Sequence, residues 1–382
     1  MIKSITAVTR EVDDAKAAVA EITATLGLEK NLLKNSLGII SCFSDFEETG
    51  VLKAVCDALP FDCIGATTCL CAAGTEVDQI ILSITVLTSD DCHFASTAIP
   101  IDDRYADSID SALTAFLEKN GKNPALFLSY FPLINTISGD MILTAIDKTS
   151  GGVPLFGTAA VDHNMDYSTA KTIRNGAAFR EKVVLGGVYG TPQVSFTVAS
   201  LNEDKIRKQK AIITASDGNI LIGVNRKTAL EYLEEIGLTK DELATGLGII
   251  PLVVDHKDGT KPVARAVFAL TPDGHAVCGG AMTEGATLAI GRVDREDVLQ
   301  TTEIALKPLA DKESLVLSYS CMARYLALGA DNAAEAEKVR DVAQDSPYLF
   351  ACSGGEVCPL ADADGKLKNF YHNYTNVFCK LS

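Results

Sequence analysis

The chain has 382 residues, of which 47% are apolar and 22% are charged, close to the average for globular proteins. This composition excludes a collagen-like, coiled-coil or intrinsically disordered chain. The net charge of −16, from 34 basic and 50 acidic residues, repels phosphate backbones and therefore disfavours nucleic acid as a partner.

The first half of the sequence alternates predicted strands and helices. Apolar residues at helical spacing predict α-helices at 12–26, 47–59, 105–117 and 137–148. Strands are predicted at 5–9, 37–43, 61–66, 80–87, 125–130, 153–156, 169–174, 183–189 and 194–199. The last four strands have no helix between them, so an α/β layer that leads into an antiparallel sheet is expected.

The second half begins after the most polar segment of the chain, 202–210. This segment predicts a boundary between two domains, 1–203 and 204–382. Strands are predicted at 211–215, 220–224, 249–254, 264–270, 276–278, 287–290, 315–319, 348–352 and 374–379, and helices at 228–236, 297–309 and 333–342. The sequence shows no repeat of fixed period. The expected fold is two-domain α+β, with mixed α/β layers and an extended antiparallel sheet.

The eleven cysteines bear on the compartment. Their number is odd, several lie in apolar runs and no Cys-x-x-Cys occurs, which favours reduced, buried thiols over a disulfide framework or a zinc site. The first fourteen residues carry charges and lack the apolar core of a signal peptide, so no signal peptide is expected. The longest uncharged stretch, 183–202, contains glycines and a proline and is typical of a strand and a turn. A cytoplasmic protein without membrane insertion is expected.

The segment Ser320-Cys321-Met322-Ala323-Arg324 follows an apolar predicted strand. A thiol at a helix N-terminus near an arginine would have a lowered pKa and be nucleophilic. The alternative is a capping serine, a buried cysteine and an arginine paired with a carboxylate. The planar fork of Arg324 also suits the carboxylate of a ligand.

Two further segments near the C-terminus carry candidate binding groups. Gly354-Gly355-Glu356 allows close backbone approach and anion binding, or forms a plain hairpin between strands at 348–352 and 357–360. His372-Asn373 binds or orients a ligand, or satisfies buried backbone groups.

In the first half, Thr67 and Thr68 follow a buried predicted strand, and Asp162 is the one charge after an apolar strand. Small hydroxyl residues at strand ends are typical of sites in open α/β sheets. Tight packing with a helix cap or a turn explains these residues equally well.

Taken in order, these segments resemble the FIST family, a sensory module of signal-transduction proteins. The resemblance spans about residues 30–378 and is most specific in the second half. It rests there first on Asp217-Gly-Asn219, which precedes a predicted helix that carries Tyr232. The other segments that carry it are Arg265, Gly280, Glu284-Gly285, Ser320–Arg324, Gly354-Gly355-Glu356 and His372-Asn373-Tyr374-Thr375. Cys69–Ala73 stands where the family is glycine-rich, and the turn at Asn225 lacks the family's proline.

The resemblance implies a protein that binds a small ligand, with amino acids as the suggested class, and that acts on a signalling partner protein or through its own oligomeric state. An amino acid needs donors for its carboxylate, from Arg265 and Arg324, and acceptors for its ammonium group, from Asp162, Glu284 and Glu356. The expected ligand-binding residues are Thr67, Thr68, Asp162, Arg265, Glu284, Ser320, Cys321, Arg324, Gly355, Glu356, His372 and Asn373. No catalytic residue, metal, cofactor or separate output domain is expected.

Two alternatives remain at this point. The first is an enzyme for acyl or amide transfer, with Cys321 as nucleophile and His372 as base. The second is a non-catalytic assembly protein whose strands pair edge to edge in a homo-oligomer.

Overall fold

The computed structural model describes residues 1–134, 136–164, 167–238, 250–257, 259–362 and 364–382. Residue 249, the first of the strand predicted at 249–254, lies outside these residues. The expected α+β fold is confirmed: the described chain forms three six-stranded mixed sheets, one eight-stranded antiparallel sheet and helices packed against them.

The first segment of the chain contains six strands and four helices. They are β1 (Lys3–Thr9), α1 (Ala15–Leu26), α2 (Leu28–Asn31), β2 (Asn35–Cys42), α3 (Asp45–Glu48), α4 (Val51–Asp57), β3 (Asp62–Thr67), β4 (Cys71–Ala73), β5 (Glu76–Asp78) and β6 (Leu82–Ser89). Asp14 caps α1 by accepting from the backbone N–H groups of Lys16 and Ala17 at 3.0 Å. Gly50, with a φ of 83°, divides the single helix predicted at 47–59 into α3 and α4.

The second segment has the same succession of elements. It comprises β7 (His93–Pro100), α5 (Tyr105–Asn120), β8 (Leu126–Phe131), α6 (Gly139–Ser150), β9 (Leu155–Ala159), β10 (Thr172–Arg174), β11 (Ala177–Phe179) and β12 (Lys182–Tyr189). The sequence does not predict β7, because its residues are mostly half-buried and show no alternation of apolar and polar side chains.

The third segment carries the eight-stranded sheet. Its elements are β13 (Val194–Ala199), a 3₁₀ turn (Glu203–Lys205), β14 (Ala211–Asp217), β15 (Ile220–Val224), β16 (Lys227–Thr228), α7 (Ala229–Glu235), β17 (Leu252–Asp255), β18 (Val263–Arg265), β19 (Val267–Leu270), β20 (Ala276–Cys278) and β21 (Thr287–Ile290). Strands β14 to β21 form the eight-stranded sheet. The strand predicted at 264–270 is interrupted at Ala266, so β18 and β19 lie at opposite ends of this sheet.

The fourth segment returns to the pattern of the first two. It consists of α8 (Arg295–Leu306), β22 (Leu315–Cys321), α9 (Met322–Ala327), a 3₁₀ turn (Gly329–Asp331), α10 (Ala334–Ala343), β23 (Tyr348–Ser353), β24 (Glu356–Ala361), β25 (Leu367–His372) and β26 (Asn376–Leu381).

The three six-stranded sheets share one plan. Their strand orders are β1-β6-β2-β3-β10-β11, β7-β12-β8-β9-β24-β25 and β13-β26-β22-β23-β4-β5. In each sheet an edge strand and a long antiparallel strand precede a parallel pair, and a hairpin from another part of the chain closes the sheet. The hairpins are exchanged in a cycle, so each sheet depends on a segment of the next.

The predicted hairpin between strands at 348–352 and 357–360 is wrong. β23 belongs to the third sheet and β24 to the second, where β24 pairs with β9 and with β25, a strand that the sequence analysis did not predict. The predicted boundary between residues 203 and 204 stays a prediction. Strands from both sides of it share two sheets, since β24 pairs with β9 and β13 pairs with β26.

The core follows this layering. Apolar side chains of the three sheets form one large cluster that includes Ile64, Phe156 and Tyr319. All eleven cysteines are buried and unbridged. Among the helices of the described residues, none combines the length and apolarity needed to cross a bilayer.

Candidate functional site

The ends of the three parallel strand pairs meet at the centre of the molecule. Backbone groups and one threonine hydroxyl at or just beyond the ends of β3, β9 and β23 bond to one another across the sheets. The bonds are Val161 N to Thr67 O at 3.2 Å, Gly354 N to Ala159 O at 3.0 Å and Thr68 Oγ1 to Cys352 O at 3.0 Å. Five of the twelve predicted site residues, Thr67, Thr68, Asp162, Gly355 and Glu356, therefore lie at or beside this junction.

The hydroxyl groups of Thr67 and Thr68 hold the junction together. Thr67 Oγ1 accepts from the backbone N–H of Lys171 at 2.9 Å, and Thr68 Oγ1 donates to carbonyl oxygens of Leu70 and Cys352 at 3.0 Å. Both threonines are buried. Their polar groups are thus engaged with backbone.

Asp162 has a comparable local role. The carboxylate is buried, and it accepts from the backbone N–H of Asn164 at 2.9 Å and from the N–H and hydroxyl of Thr169 at 2.7 and 2.6 Å. Asp162 therefore holds Asn164 and Thr169 in place in the segment that follows β9.

Glu356 is the most unusual group at the junction. Its side chain is 0% exposed, Oε2 accepts from Thr375 Oγ1 at 2.7 Å, and Oε1 has no hydrogen-bond partner in the described part of the chain. Burial raises the pKa of the Glu356 carboxyl to about 8, more than the bonds from Thr375 and Ser353 lower it. The carboxyl is therefore mainly protonated at neutral pH.

Gly355 allows a close contact beside Glu356. A Cβ atom at this position would lie 2.0 Å from the Tyr371 hydroxyl oxygen. Any side chain here would displace Tyr371, which packs against β24 in the second sheet. Gly355 therefore shapes the junction rather than offering a bare backbone anion site.

Cys321 ends β22 and precedes α9, and of the two interpretations of this segment the buried cysteine fits better than the thiol with a lowered pKa. Burial raises the pKa of Cys321 well above its usual range, and the nearby Glu356 carboxyl raises it further. Arg324 and two backbone N–H groups act in the opposite direction and are outweighed. The backbone N–H of Cys321 donates to Thr375 O at 2.9 Å.

Arg324 and Ser320 bind the buried carboxylate of Glu335. Arg324 donates to Glu335 Oε1 from Nε at 3.0 Å and from Nη2 at 2.8 Å, and Ser320 Oγ donates to Oε2 at 2.6 Å. Arg324 Nη2 also donates to Val298 O and Thr302 Oγ1, both at 2.9 Å. The guanidinium of Arg324 is thus occupied by a carboxylate of the protein itself.

Arg265 forms a second ion pair, in which the arginine is buried and its partner Asp140 is half-buried. Its Nη2 lies 3.2 Å from Asp140 Oδ2, and its Nη1 donates to Tyr371 O at 2.8 Å. Asp140, in the first turn of α6, also accepts from the backbone N–H of Ala281 at 2.7 Å. This pair fastens the eight-stranded sheet to the second sheet.

His372 and Asn373 follow directly from the Arg265 contact. His372 Nε2 lies 3.0 Å from Cys358 O, which assigns the ring proton to Nε2. Burial lowers the pKa of His372 to about 4, so the imidazole is neutral at neutral pH. Asn373 Nδ2 donates to His372 O at 2.8 Å.

A cleft of about 590 Å³ opens on the outer side of these residues, and we call it the His372 cleft. His372, Asn373 and Thr375 form one wall, and Lys261 with Val263 and Ala264 form another. The other lining residues are 197–203, Ile206, Val253, Pro262, Leu360 and, on α8, Thr301, Ile304 and Ala305. The cleft lies where three edge strands meet, since β13, β18 and β25 are each at the end of a sheet.

Thr375 connects this cleft with the buried junction. It lines the His372 cleft, its hydroxyl binds Glu356, and its carbonyl accepts from Cys321. Glu356, Cys321, Arg265, His372 and Asn373 are therefore neighbours on the two sides of one short segment. Arg324 and Ser320 belong to the adjacent Glu335 network.

Glu284 is separate from this group. It lies on an exposed loop between β20 and β21, outside the walls of the cleft. Lys261 and Thr375 were not predicted as site residues. The wall is assembled from four distant segments, and no local motif marks Lys261. Within the described ranges, no group of three or more His, Cys, Asp or Glu side chains is placed to hold a metal ion.

Comparisons with known proteins add the following. The FIST N domain matches residues 36–227, and the FIST C domain matches residues 229–359. Among solved structures, a cyanuric acid hydrolase from A. caulinodans is 8% identical with a TM-score of 0.41, over 100% of this chain and 98% of that chain. A further cyanuric acid hydrolase structure is 8% identical with a TM-score of 0.37, over the same shares. None of the curated proteins matches this chain.

Proposed function

Because the chain belongs to the FIST family, we propose that it is a cytoplasmic sensory protein of signal transduction that binds an amino acid or a related small carboxylate in the His372 cleft. FIST domains are generally thought to be small-ligand-binding sensory domains in signalling. The cleft volume of about 590 Å³ falls in the range of small-molecule sites, roughly 300–1,000 Å³.

The observation that carries the proposal is the combination of groups on the cleft walls. His372, Asn373 and Thr375, which are 1–4% exposed and already bonded within the protein, adjoin a wall that also contains the exposed ammonium of Lys261 and the exposed carboxylate of Glu203. An amino acid needs a cation for its carboxylate, an acceptor for its ammonium group and an apolar surface for its side chain. Val198, Val263 and Leu360 supply the apolar surface.

The two buried arginines have a different part in this proposal from the one that the sequence favoured. Asp140 and Glu335 already pair with Arg265 and Arg324, and removing a buried partner costs several kcal/mol, about 3–5. A ligand would have to displace such a partner to bind either fork. We therefore assign the ligand carboxylate to Lys261 and a supporting role to the arginines, which hold the cleft walls in place.

The proposal is tested by thermal unfolding with a panel of amino acids and small carboxylates at millimolar concentration. A ligand at a hundred times its dissociation constant adds about 2.7 kcal/mol to the free energy of unfolding, which for a chain of this size raises Tm by several degrees. We expect Lys261→Ala to abolish the shift, because the exposed ammonium lies on the cleft wall.

The matched control is Lys122→Ala, in the exposed loop after α5, which should leave the shift unchanged. The absence of any shift across the panel would contradict the proposal. So would a shift that is equal in wild type and Lys261→Ala.

The cysteine-dependent enzyme has less support. Such an enzyme requires a thiolate at Cys321 and a base at His372. Burial raises the pKa of the Cys321 thiol and so keeps it protonated, and His372 Nε2 is bonded to Cys358 O. The family relationship also leads us to propose a signalling partner protein. This partner would bind the surfaces around the cleft and respond to ligand binding there.

A further inference from the structure

A second compartment of about 480 Å³ adjoins the His372 cleft. The two spaces share wall residues, among them Ser200, Leu201, Ile206 and Val253. The two spaces are therefore adjacent. We call the second space the basic compartment because of the side chains described next.

Four cationic side chains line the basic compartment. They are Arg207, Lys208, Lys210 and Lys261. Two carboxylates, Glu203 and Asp255, lie on the same walls. A local excess of cations is unusual in a chain whose net charge is −16.

The ion pairing of these four cations differs from that of their neighbour Lys205. None of the four forms an ion pair with any residue that the structure describes, whereas the neighbouring Lys205 pairs with Asp294 at 3.1 Å and with Asp297 at 3.0 Å. Lys205 is thus neutralised by carboxylates of the protein, whereas Lys208 and Lys210, a few residues further along the chain, are not paired within the described ranges. Their charge remains available to a ligand.

Cations that line a concave surface concentrate positive potential there and attract small anions. One ammonium, that of Lys261, is enough for the carboxylate of an amino acid. The other three would gain nothing from a ligand with a single anionic group. A second carboxylate or a phosphate on the same ligand would lie in the adjoining compartment, close to Arg207, Lys208 and Lys210.

We infer that the ligand of this protein carries two anionic groups, one held at the His372 end by Lys261 and the other held in the basic compartment by Lys208 and Lys210. The inference rests on the proposed function and narrows its ligand to small dianions, namely dicarboxylic amino acids and phosphomonoesters of amino acids. Such a ligand spans both compartments.

The test uses two pairs of probes that differ only in the second anionic group: glutamate with glutamine, and O-phosphoserine with serine. Dissociation constants are measured by calorimetry at constant ionic strength, because exposed charge interactions are screened by salt. We expect the dianionic member of a pair to bind more tightly, by roughly two- to five-fold for each lysine engaged.

The double variant Lys208→Gln/Lys210→Gln should remove this preference and leave the weaker binding of glutamine or serine unchanged. The matched control is Lys366→Gln/Lys368→Gln, a pair of exposed lysines with the same spacing, outside the walls of both compartments. The control should keep the preference.

Equal binding within both pairs would overturn the inference and leave the proposed function standing. A preference that persists in the double variant would overturn the assignment to the basic compartment. Failure of all four probes to bind would overturn the inference, and a negative result over the wider panel as well would overturn the proposed function.

Discussion

Glu356 shows how burial decides the chemistry of a single side chain. Its Oε2 accepts from the Thr375 hydroxyl, its Oε1 has no partner at hydrogen-bond geometry in the described part of the chain, and burial raises the pKa of the carboxyl to about 8. A charged carboxylate without solvation is costly, so the group holds its proton instead. Thr375, whose hydroxyl binds this carboxyl, also lines the His372 cleft.

This pKa makes the free energy of unfolding depend on pH. Between the ordinary value near 4.5 and about 8, the folded chain holds a proton on Glu356 that the unfolded chain has lost, so stability falls as pH rises through this window. Glu356→Gln removes the titration. We expect Tm of the wild type to fall more steeply than that of Glu356→Gln between pH 6 and pH 9.

The control for this prediction is Glu284→Gln, since Glu284 is exposed. That variant should follow the wild-type pH profile. Parallel profiles for the wild type and Glu356→Gln would show that Glu356 does not carry a raised pKa.

At the scale of elements, one buried carboxylate joins four of them. Glu335 on α10 binds Arg324 on α9, Ser320 on β22 and Thr302 on α8. Both charged side chains of the ion pair are 2–3% exposed. The packing of these helices on the third sheet therefore depends on a network that must be complete to be stable.

We predict that Glu335→Gln destabilises the protein by about 3–5 kcal/mol, because it leaves the Arg324 charge buried and unpaired. Urea unfolding measures this difference. Asp331→Asn removes the exposed ion pair between Arg295 and Asp331 and should cost less than about 1 kcal/mol. Similar costs for the two variants would contradict the structural role assigned to Glu335.

The elements also show what the sequence can reveal. Strongly apolar strands such as β22, and helices with a clear cap and stop such as α1 between Asp14 and Gly27, follow from local patterns. β7 and β25 do not, because their side chains are half-buried or exposed. The partner of β24 could not be predicted, since it is chosen by contacts between distant segments rather than by the short turn after β23.

The same limit applies to the site. Sequence patterns identified Glu356, His372 and Asn373, which lie together, and also Glu284, which lies apart on an exposed loop. Lys261 has no motif around it and becomes a candidate only when the edge of the eight-stranded sheet is placed against β13 and β25. Proximity across sheets is therefore the information that the sequence lacks.

At the scale of the whole molecule, the exchange of hairpins between three like sheets brings their strand ends to one junction, while edge strands of the second, third and eight-stranded sheets meet at the His372 cleft. The junction is buried and most of its polar groups bond within the protein, while the cleft is open and Lys261 on its wall forms no ion pair with a residue that the structure describes. The proposed division of labour is that the junction supports the walls and the cleft binds the ligand.

The most direct measurement of this account is a crystal structure of the protein with the panel member that gives the largest thermal shift. The account predicts ligand density in the His372 cleft, within hydrogen-bond distance of Asn373 or Thr375 and with a carboxylate at Lys261. Density for the ligand elsewhere, with this cleft filled only by water, would contradict it.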